Sequence, residues 1–570
     1  MACAALPRSG RRVTMAADTD SVPRGVRLPR RSSAPQPDST AMNAIELSLF
    51  VSRLTAVCDE MAAVLRNAAL SPNIRDRLDF SCAVFDADGA LCAQAAHIPV
   101  HLGSMAYAMV DLVAGFEWAD GDMVIVNDPF LGGTHLPDVT VISPVFVPAA
   151  MDAAKPALAG FVANRAHHAD IGASTPGSMP ISERLEEEGM VIPPQRLVRA
   201  GVVDDGALAQ ITGGTRSPDH ARGDFFAQIA ANRAGRARVA ELAAAGGLRA
   251  FRKGLQTMND YGERLARQTL RAIPDGRYAF EDVLDDDGRG QLDIPIRLAL
   301  TIAGDGAHCD FSGTAAQVAG NVNCPLAVAA AAVFYCFRCL MPRETPACAG
   351  ALRPITLEAP AGCLVNARRP AAVVAGNVET SSRIVDVVLG ALAQAENDRW
   401  QAEIPAASHG TMNNLAIGGV LDGTPWDYYE TIGGGMGAGR AGGGLSAVQT
   451  HMTNTLNTPI EVIESRFPLR VTRYAMRDGS GGAGERAGGN GLIRELTCLA
   501  PAHATLIGER RRHAPWGLKG GAPGQPGAQW HNDRPLPGKA ALHLAPGDRL
   551  RIETPGGGGY GAEPEARRSE

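Results

Sequence analysis

"VNDPFLGGTHLPDVTV" (residues 126–141) sets two runs of strand-forming residues on either side of a loop of Gly, Pro and polar side chains. β-Branched runs separated by Gly and Pro read as strand, turn, strand. The loop carries His135 and Asp138, three residues apart. A second stretch, "GFVANRAHHADIGAS" (160–174), also follows an apolar run and carries His167, His168 and Asp170. The span from 121 to 165 thus reads as strand, loop, strand, loop, strand. Upstream, Phe50, Leu54, Val57, Met61 and Leu65 recur at spacings of three and four, the stripe of an amphipathic helix. "CAVFDADGALCAQ" (82–94) has the pattern of a hairpin. Downstream, 222–272 is helical in pattern, 292–314 returns to strands, and helices are expected over 325–341 and 378–396. From about 405 onward glycine punctuates short β-strands and tight turns. The expected fold class is mixed α+β: a strand-rich N-terminal half with helices (about 43–400), then a glycine-rich, β-rich region (about 401–562). No Rossmann signature supports a doubly wound sheet.

The chain has 570 residues, enough for a sizeable core; 45% are apolar and 20% charged, ordinary for a soluble globular protein. Its net charge of −6 argues against a general nucleic-acid binder. The only lysines are Lys155, Lys253, Lys519 and Lys539. Eleven cysteines are scattered; the one CxxC, Cys336 to Cys339, lies in an alanine-rich run that reads as buried helix. With no second CxxC at zinc-ribbon spacing, the cysteines read as reduced thiols of a cytoplasmic protein. Residues 1–42 are rich in Arg, Pro and Ser without apolar periodicity and are expected to be disordered. They resemble a transit peptide in composition, but Met15 and Met42 favour an over-extended start; 563–570 is expected to be a flexible tail. No run of about 18 uncharged apolar residues reads as a membrane span.

Three chemistries can be tested on motif. No GxxxxGK[ST] exists, so the glycine runs read as turns rather than a Walker A loop. No GxSxG marks a nucleophile elbow. The third is a metal: imidazole and carboxylate on a loop pinned by strands suit Mn, Fe or Zn, and one histidine of the 167–168 pair would complete a two-His, one-carboxylate set. An HxxD alone is a weak signal, since a lone histidine is more often a hydrogen-bonded structural residue. His97 and His101, in "AHIPVHLGSM", form a further candidate cluster or else mark a helix entrance.

Several long stretches, "SPNIRDRLDFSCAVFDADG", "NDPFLGGTHLPDVTVISPVF", "AHHADIG", "GNVETSSRIVDVVLGAL", "YYETIGGGMGA" and "QTHMTNTLNTPIEVIE" among them, resemble the hydantoinase B/5-oxoprolinase family, in family order over about 43–562. The resemblance implies the B-type component of an ATP-dependent enzyme that opens a hydantoin, 5-oxoproline or lactam ring. A separate hydantoinase A-like component would use ATP to phosphorylate the carbonyl oxygen, making it a good leaving group. The related acetone and acetophenone carboxylases imply an alternative, a carboxylase-type component, and a non-catalytic scaffold of the A/B complex is a third reading.

By the same resemblance, a divalent transition metal (Mn, Fe or Zn) would be held by His135, Asp138 and one of His167 and His168. Catalytic or supporting roles are expected of Asp128, of Asp170 as hydrogen-bonding partner of a ligating histidine, and of His409. Asn127 and Asp128 are read as orienting His135, Asn377 and Glu379 as opening a helix with Glu379 a first-turn carboxylate, and Glu430, His451, Asn454 and Asn457 as a binding wall or a partner contact.

Overall fold

The computed structural model describes residues 42–95, 98–149, 152–395 and 404–563. The expectations for His97, for the N-terminal extension up to 41 and for 564–570 lie outside them. Helix α1 (Ala44–Ala68) buries Leu54, Val57, Met61 and Leu65, the expected stripe. One turn, α2 (Pro72–Arg75), leads into hairpin β1 (Phe80–Phe85) and β2 (Leu91–Ala95), then helix α3 (Pro99–Ala114). Strands β3 (Met123–Val126), β4 (Asp138–Ala149), β5 (Asp152–His167), β6 (Gln195–Arg199) and β7 (Val202–Val203) follow. They form a seven-stranded sheet in the order β2-β1-β5-β4-β3-β6-β7, antiparallel throughout. The opening motif is therefore the β3–β4 connection, and the second motif leaves the end of β5.

Helices α4 (Asp205–Thr212), α5 (Pro218–Gly246) and α6 (Leu248–Leu270) come next. The face of α5 toward the sheet is not purely apolar: Gln228 donates to Val139 O and Asn232 to Val141 O, and Asn164 of β5 bonds both of these residues. These amides answer one another, so burying them costs little.

Strands β8 (Gly276–Asp286), β9 (Leu292–Ala303) and β10 (Gly306–Asp310) precede the buried helix α7 (Leu326–Leu340) and strand β11 (Ile355–Glu358); the sheet order is β11-β10-β9-β8. No apolar alternation marks β8 in the sequence. β8 is an edge strand whose Glu281 is exposed, whereas Asp282 pairs with the buried Arg510 and Asp285 accepts from the N–H groups of Arg511, Arg512 and His513. The helix expected over 378–396 opens as a π-turn (Gly376–Thr380) and continues as α8 (Ser381–Leu392). β12 (Asn414–Leu421), β13 (Thr424–Glu430), helix α9 (Ile460–Arg466), β14 (Leu469–Arg477), β15 (Gly491–Cys498), β16 (Ala502–Ile507), β17 (Ala528–His531), β18 (Arg534–Pro535), β19 (Lys539–Leu544) and β20 (Arg549–Glu553) complete the chain. They make two antiparallel sheets, β13-β12-β16-β19 and β14-β15-β20-β17-β18, sharing an apolar core. The mixed α+β class holds. Among the described residues no helix is long and apolar enough to cross a membrane.

The glycine runs of the C-terminal part are buried backbone stacks rather than solvent loops. A Cβ on Gly435 would sit 2.0 Å from Gly489 O and 2.3 Å from Gly557 N. The segments are stitched by Gly489 N to Met436 O and Gly557 N to Gly489 O, each 2.9 Å. By contrast, a Cβ on Gly442 would meet nothing within 4 Å. Gly435→Ala should therefore destabilise by about 1–3 kcal/mol or more, the usual scale of overpacking, while Gly442→Ala leaves the melting temperature nearly unchanged; thermal melts of both variants check this.

Candidate functional site

The site begins with register. In the β4–β5 ladder Asp138 lies directly opposite His167, and opposed residues of an antiparallel pair project to the same face. His167 N also bonds Asp79 O, carrying the row across to the start of β1. One face thus holds Asp79, His167 and Asp138 side by side. His168, one residue on, must project to the other face. There it bonds Gln228 Oε1 at 3.0 Å and stacks on Phe225 of α5. Of the two histidines expected from sequence, His167 reaches the cluster and His168 does not.

The loop before β4 supplies His135. Gly132 has φ 110°, and a Cβ on Gly133 would fall 2.2 Å from Asn127 O, so the Gly-Gly pair permits a turn too tight for side chains. Asn127 donates to Leu136 O and Met190 O and accepts from Ile192 N, fixing the loop rather than touching His135 itself. Arg165 fixes it from beneath, bonding Gly132 O, Ser104 of α3 and Thr140 of β4. Asp138 N closes the turn on His135 O at 3.1 Å.

The two oxygens of Asp138 are treated unequally. Oδ2 accepts from Thr134 Oγ1 at 2.7 Å, His101 Nε2 at 3.1 Å and Asn377 Nδ2 at 3.4 Å. Oδ1 has no hydrogen-bond partner, although His135 Nε2 lies 3.1 Å and His167 Nδ1 3.5 Å away. His135 Nδ1 is engaged with Val374 O at 3.3 Å. That carbonyl takes a proton on Nδ1, which leaves Nε2 as the ring nitrogen turned toward the carboxylate oxygen. Nε2 of His167 is also without a partner. All three side chains are buried. Burial pushes the Asp138 carboxyl up, but the facing imidazoles of His135 and His101 outweigh it and hold it well below the usual carboxylate range. Burial lowers His167, keeping it neutral.

Buried ligand-type atoms that converge, several of them without hydrogen-bond partners, fit a cation. Ligands bound at about 2.1 Å in tetrahedral or octahedral array lie about 3.0–3.4 Å apart, which the spacings here approach. Among the described residues His135, Asp138 and His167 are the one group whose donor atoms converge in this way. They line a cavity of about 20 Å³, room for one ion or water. Ile98, Val100, Val378, Met412 and Tyr429 supply its apolar wall.

The other expected residues are elsewhere. Asp128 caps the turn at Phe130 N and pairs with Arg369. Asp170, expected beside a ligating histidine, instead bonds Gly172 N and Arg216. His409 is buried, with neither ring nitrogen bonded, and burial pushes it down to about 3, so it is neutral; it does not line the cavity. Glu430 pairs with Arg494 at 3.1 Å and accepts from Asn457; His451 faces Tyr335, and Asn454 is exposed. Asn377, expected only to open a helix, donates to Asp138 Oδ2. His101 is both helix entrance, in the first turn of α3, and cavity wall. Sequence reasoning missed Asp79 and Tyr429, whose only signal is pairing between distant strands.

The buried His–Asp–His cluster thus lies at the end of an antiparallel hairpin. The chain belongs to the hydantoinase B/oxoprolinase family, whose model matches residues 43–563. It is 38% identical to 5-oxoprolinase 1 of Arabidopsis thaliana over 94% of its length, but spans only 43% of that protein. It is 31% identical to the B-type chain of a putative D-/L-hydantoinase of Pseudomonas sp. (strain NS671), covering 92% of this chain and 91% of that one. Among solved structures, the ATP-dependent caprolactamase from Pseudomonas jessenii superposes with TM-score 0.83 at 28% identity, over 92% and 93% of the two chains. Acetone carboxylase shares the fold, with TM-score 0.81 at 20% identity, over 91% of this chain and 76% of that one.

One supporting group has a pH consequence. Val374, whose carbonyl holds His135, is itself held with Val373 by Glu188 Oε1, at 3.0 and 2.9 Å. Burial pushes this carboxyl up to about 8 from an ordinary 4.5. Across that window the folded chain binds the proton more tightly than the unfolded one, so stability falls as pH rises. Glu188→Gln keeps the acceptor and removes the titration. Melting curves should show the wild type losing a few °C relative to this variant between pH 5 and pH 8.5.

Proposed function

We propose that this chain is the hydrolytic B-type component of an ATP-dependent enzyme that opens cyclic amides of the hydantoin, 5-oxoproline or lactam class. An A-type partner would carry out the phosphoryl transfer. The single observation that carries the reading is the Asp138 carboxylate, one oxygen saturated by three donors and the other left, with His135 and His167, for a metal. A relative named as a hydantoinase component, of this chain's length, and the caprolactamase fold support the reaction class.

His135, Asp138 and His167 would hold the ion. A divalent metal bound there would supply Lewis acidity, making a water acidic enough to attack at neutral pH. The chain's own residues do the rest. His101, with Nδ1 on Ser81 Oγ at 3.1 Å, keeps its Nε2 proton on Asp138 and so keeps that carboxylate ionised and fixed. Thr134 and Asn377 hold it from the loop and the π-turn. Ile98, Val100 and Met412 exclude bulk water from the cavity, and Asp79, 3.9 Å from His167 Nδ1, is the carboxylate placed to take a proton at the rim. A lactam carbonyl resists attack because its nitrogen donates into it; phosphorylation of its oxygen by the partner removes that resistance.

Elemental analysis of the purified chain is expected to give about one transition metal per chain. His135→Ala, Asp138→Ala and His167→Ala should lose it by about tenfold or more, and His168→Gln should keep it. With the A-type partner, ATP and a panel of ring substrates, wild type should release the ring-opened acid and His135→Ala should not. A metal-free wild type after metal-supplemented growth without chelators would refute the centre, and a bicarbonate-dependent product would move the chain to the carboxylases.

A further inference from the structure

A metal-binding imidazole normally has its second nitrogen held by a carbonyl or carboxylate, which fixes the ring. His135 conforms, through Val374 O. His167 does not: Nδ1 faces Asp138 and Asp79 at 3.5 and 3.9 Å, and Nε2 is buried without a partner. What restrains its ring is a stack. The Tyr429 ring lies parallel to it, centroids 4.9 Å apart and planes within 1°.

Tyr429 is in turn held at both its ring and its hydroxyl. The guanidinium of Arg77 lies 4.8 Å from the ring centroid, a cation–π distance, and is itself bonded to Thr431 and Thr455. The hydroxyl donates to Asn414 Oδ1 at 2.8 Å. Asn414 has no freedom to flip its amide, because Nδ2 donates to Glu379 Oε1 at 2.7 Å and to Ile507 O at 3.0 Å. Glu379 Oε1 also accepts from Met412 N at 3.0 Å. Asn414 and Glu379 are buried and neither lines the cavity. Glu379 sits on the same π-turn that sends Asn377 to Asp138, and π-turns concentrate at functional sites.

We propose that Tyr429, anchored by Asn414 and Glu379, is the positioning residue that sets the plane of the His167 imidazole, and so the affinity and ligand field of the centre. The inference rests on the metal reading above. Tyr429 acts through packing rather than through a hydrogen bond to the ligand, so the chain Glu379–Asn414–Tyr429 governs a ring it never touches with a polar atom.

The test loads the full chain with Co²⁺ and reads its visible absorption bands and its dissociation constant by chelator competition. Tyr429→Leu, which removes the stack, should shift the bands and weaken binding about 10–100-fold, the range for supporting partners. Tyr429→Phe and Glu379→Ala, which release the hydroxyl anchor, should shift the bands in the same direction by less. Glu379→Gln, which keeps an acceptor for Asn414, should restore the wild-type spectrum. A merely structural role would lower the melting temperature of these variants and leave the spectrum of the folded fraction unmoved. Wild-type bands and affinity in Tyr429→Phe and Glu379→Ala, beside a changed His167→Ala, overturn the inference and leave the metal reading intact. A wild type that takes up no Co²⁺ overturns both.

Discussion

The pairing of Asp138 with His167 across β4 and β5 is the constraint on which the rest of the site depends. Side chains alternate along a strand, so a slip of one residue would send either group to the opposite face. The register is defended on both sides of the sheet. On the far face, Asn164, Gln228 and Asn232 lock β4 and β5 to α5 through directional bonds that tolerate no slip. On the near face, Arg165 grips Thr140 across the same ladder. Apolar packing alone, being non-directional, would hold the hairpin less strictly.

The hydrogen bonding of the cluster is asymmetric. A buried carboxylate is costly unless its lone pairs are answered. Here three donors answer one oxygen and none answers the other, and His135 is arranged in the same manner, bound at Nδ1 and open at Nε2. Such one-sided satisfaction directs the remaining lone pairs to one small volume. Distant parts of the chain converge around it: the N-terminal sheet gives the donors, the π-turn before α8 gives Asn377, and β13 gives Tyr429.

The strands flanking the HxxD loop, the first helix, the hairpin at 82–94 and the helices at 222–272 were legible because each is a local pattern of apolar spacing. The pairing of His135 with Asp138 was legible for the same reason, since a tight loop brings them together. The choice between His167 and His168 was not, because it depends on strand parity relative to a partner on another strand. Tyr429, Asp79 and His101 acquire meaning only through pairings across the chain. Asp128, Asp170 and His409 show the converse. They are polar residues in conspicuous motifs, yet the first caps a turn, the second holds an arginine, and the third packs its ring against Gly434. The glycine runs read as loops in the sequence, since composition alone cannot separate an open turn from backbones pressed together.

The hairpin arrangement has a consequence for how the protein is made. His135, Asp138 and His167 all belong to one β3–β4–β5 meander, local in sequence, whose register is locked by α5 only once that helix has been made. Tyr429, Asn377 and the segment around Val374 are synthesised much later. The three side chains are thus close in sequence while the groups that orient them are remote from it, so the finished geometry of the cluster is a property of the whole folded chain and not of the meander alone.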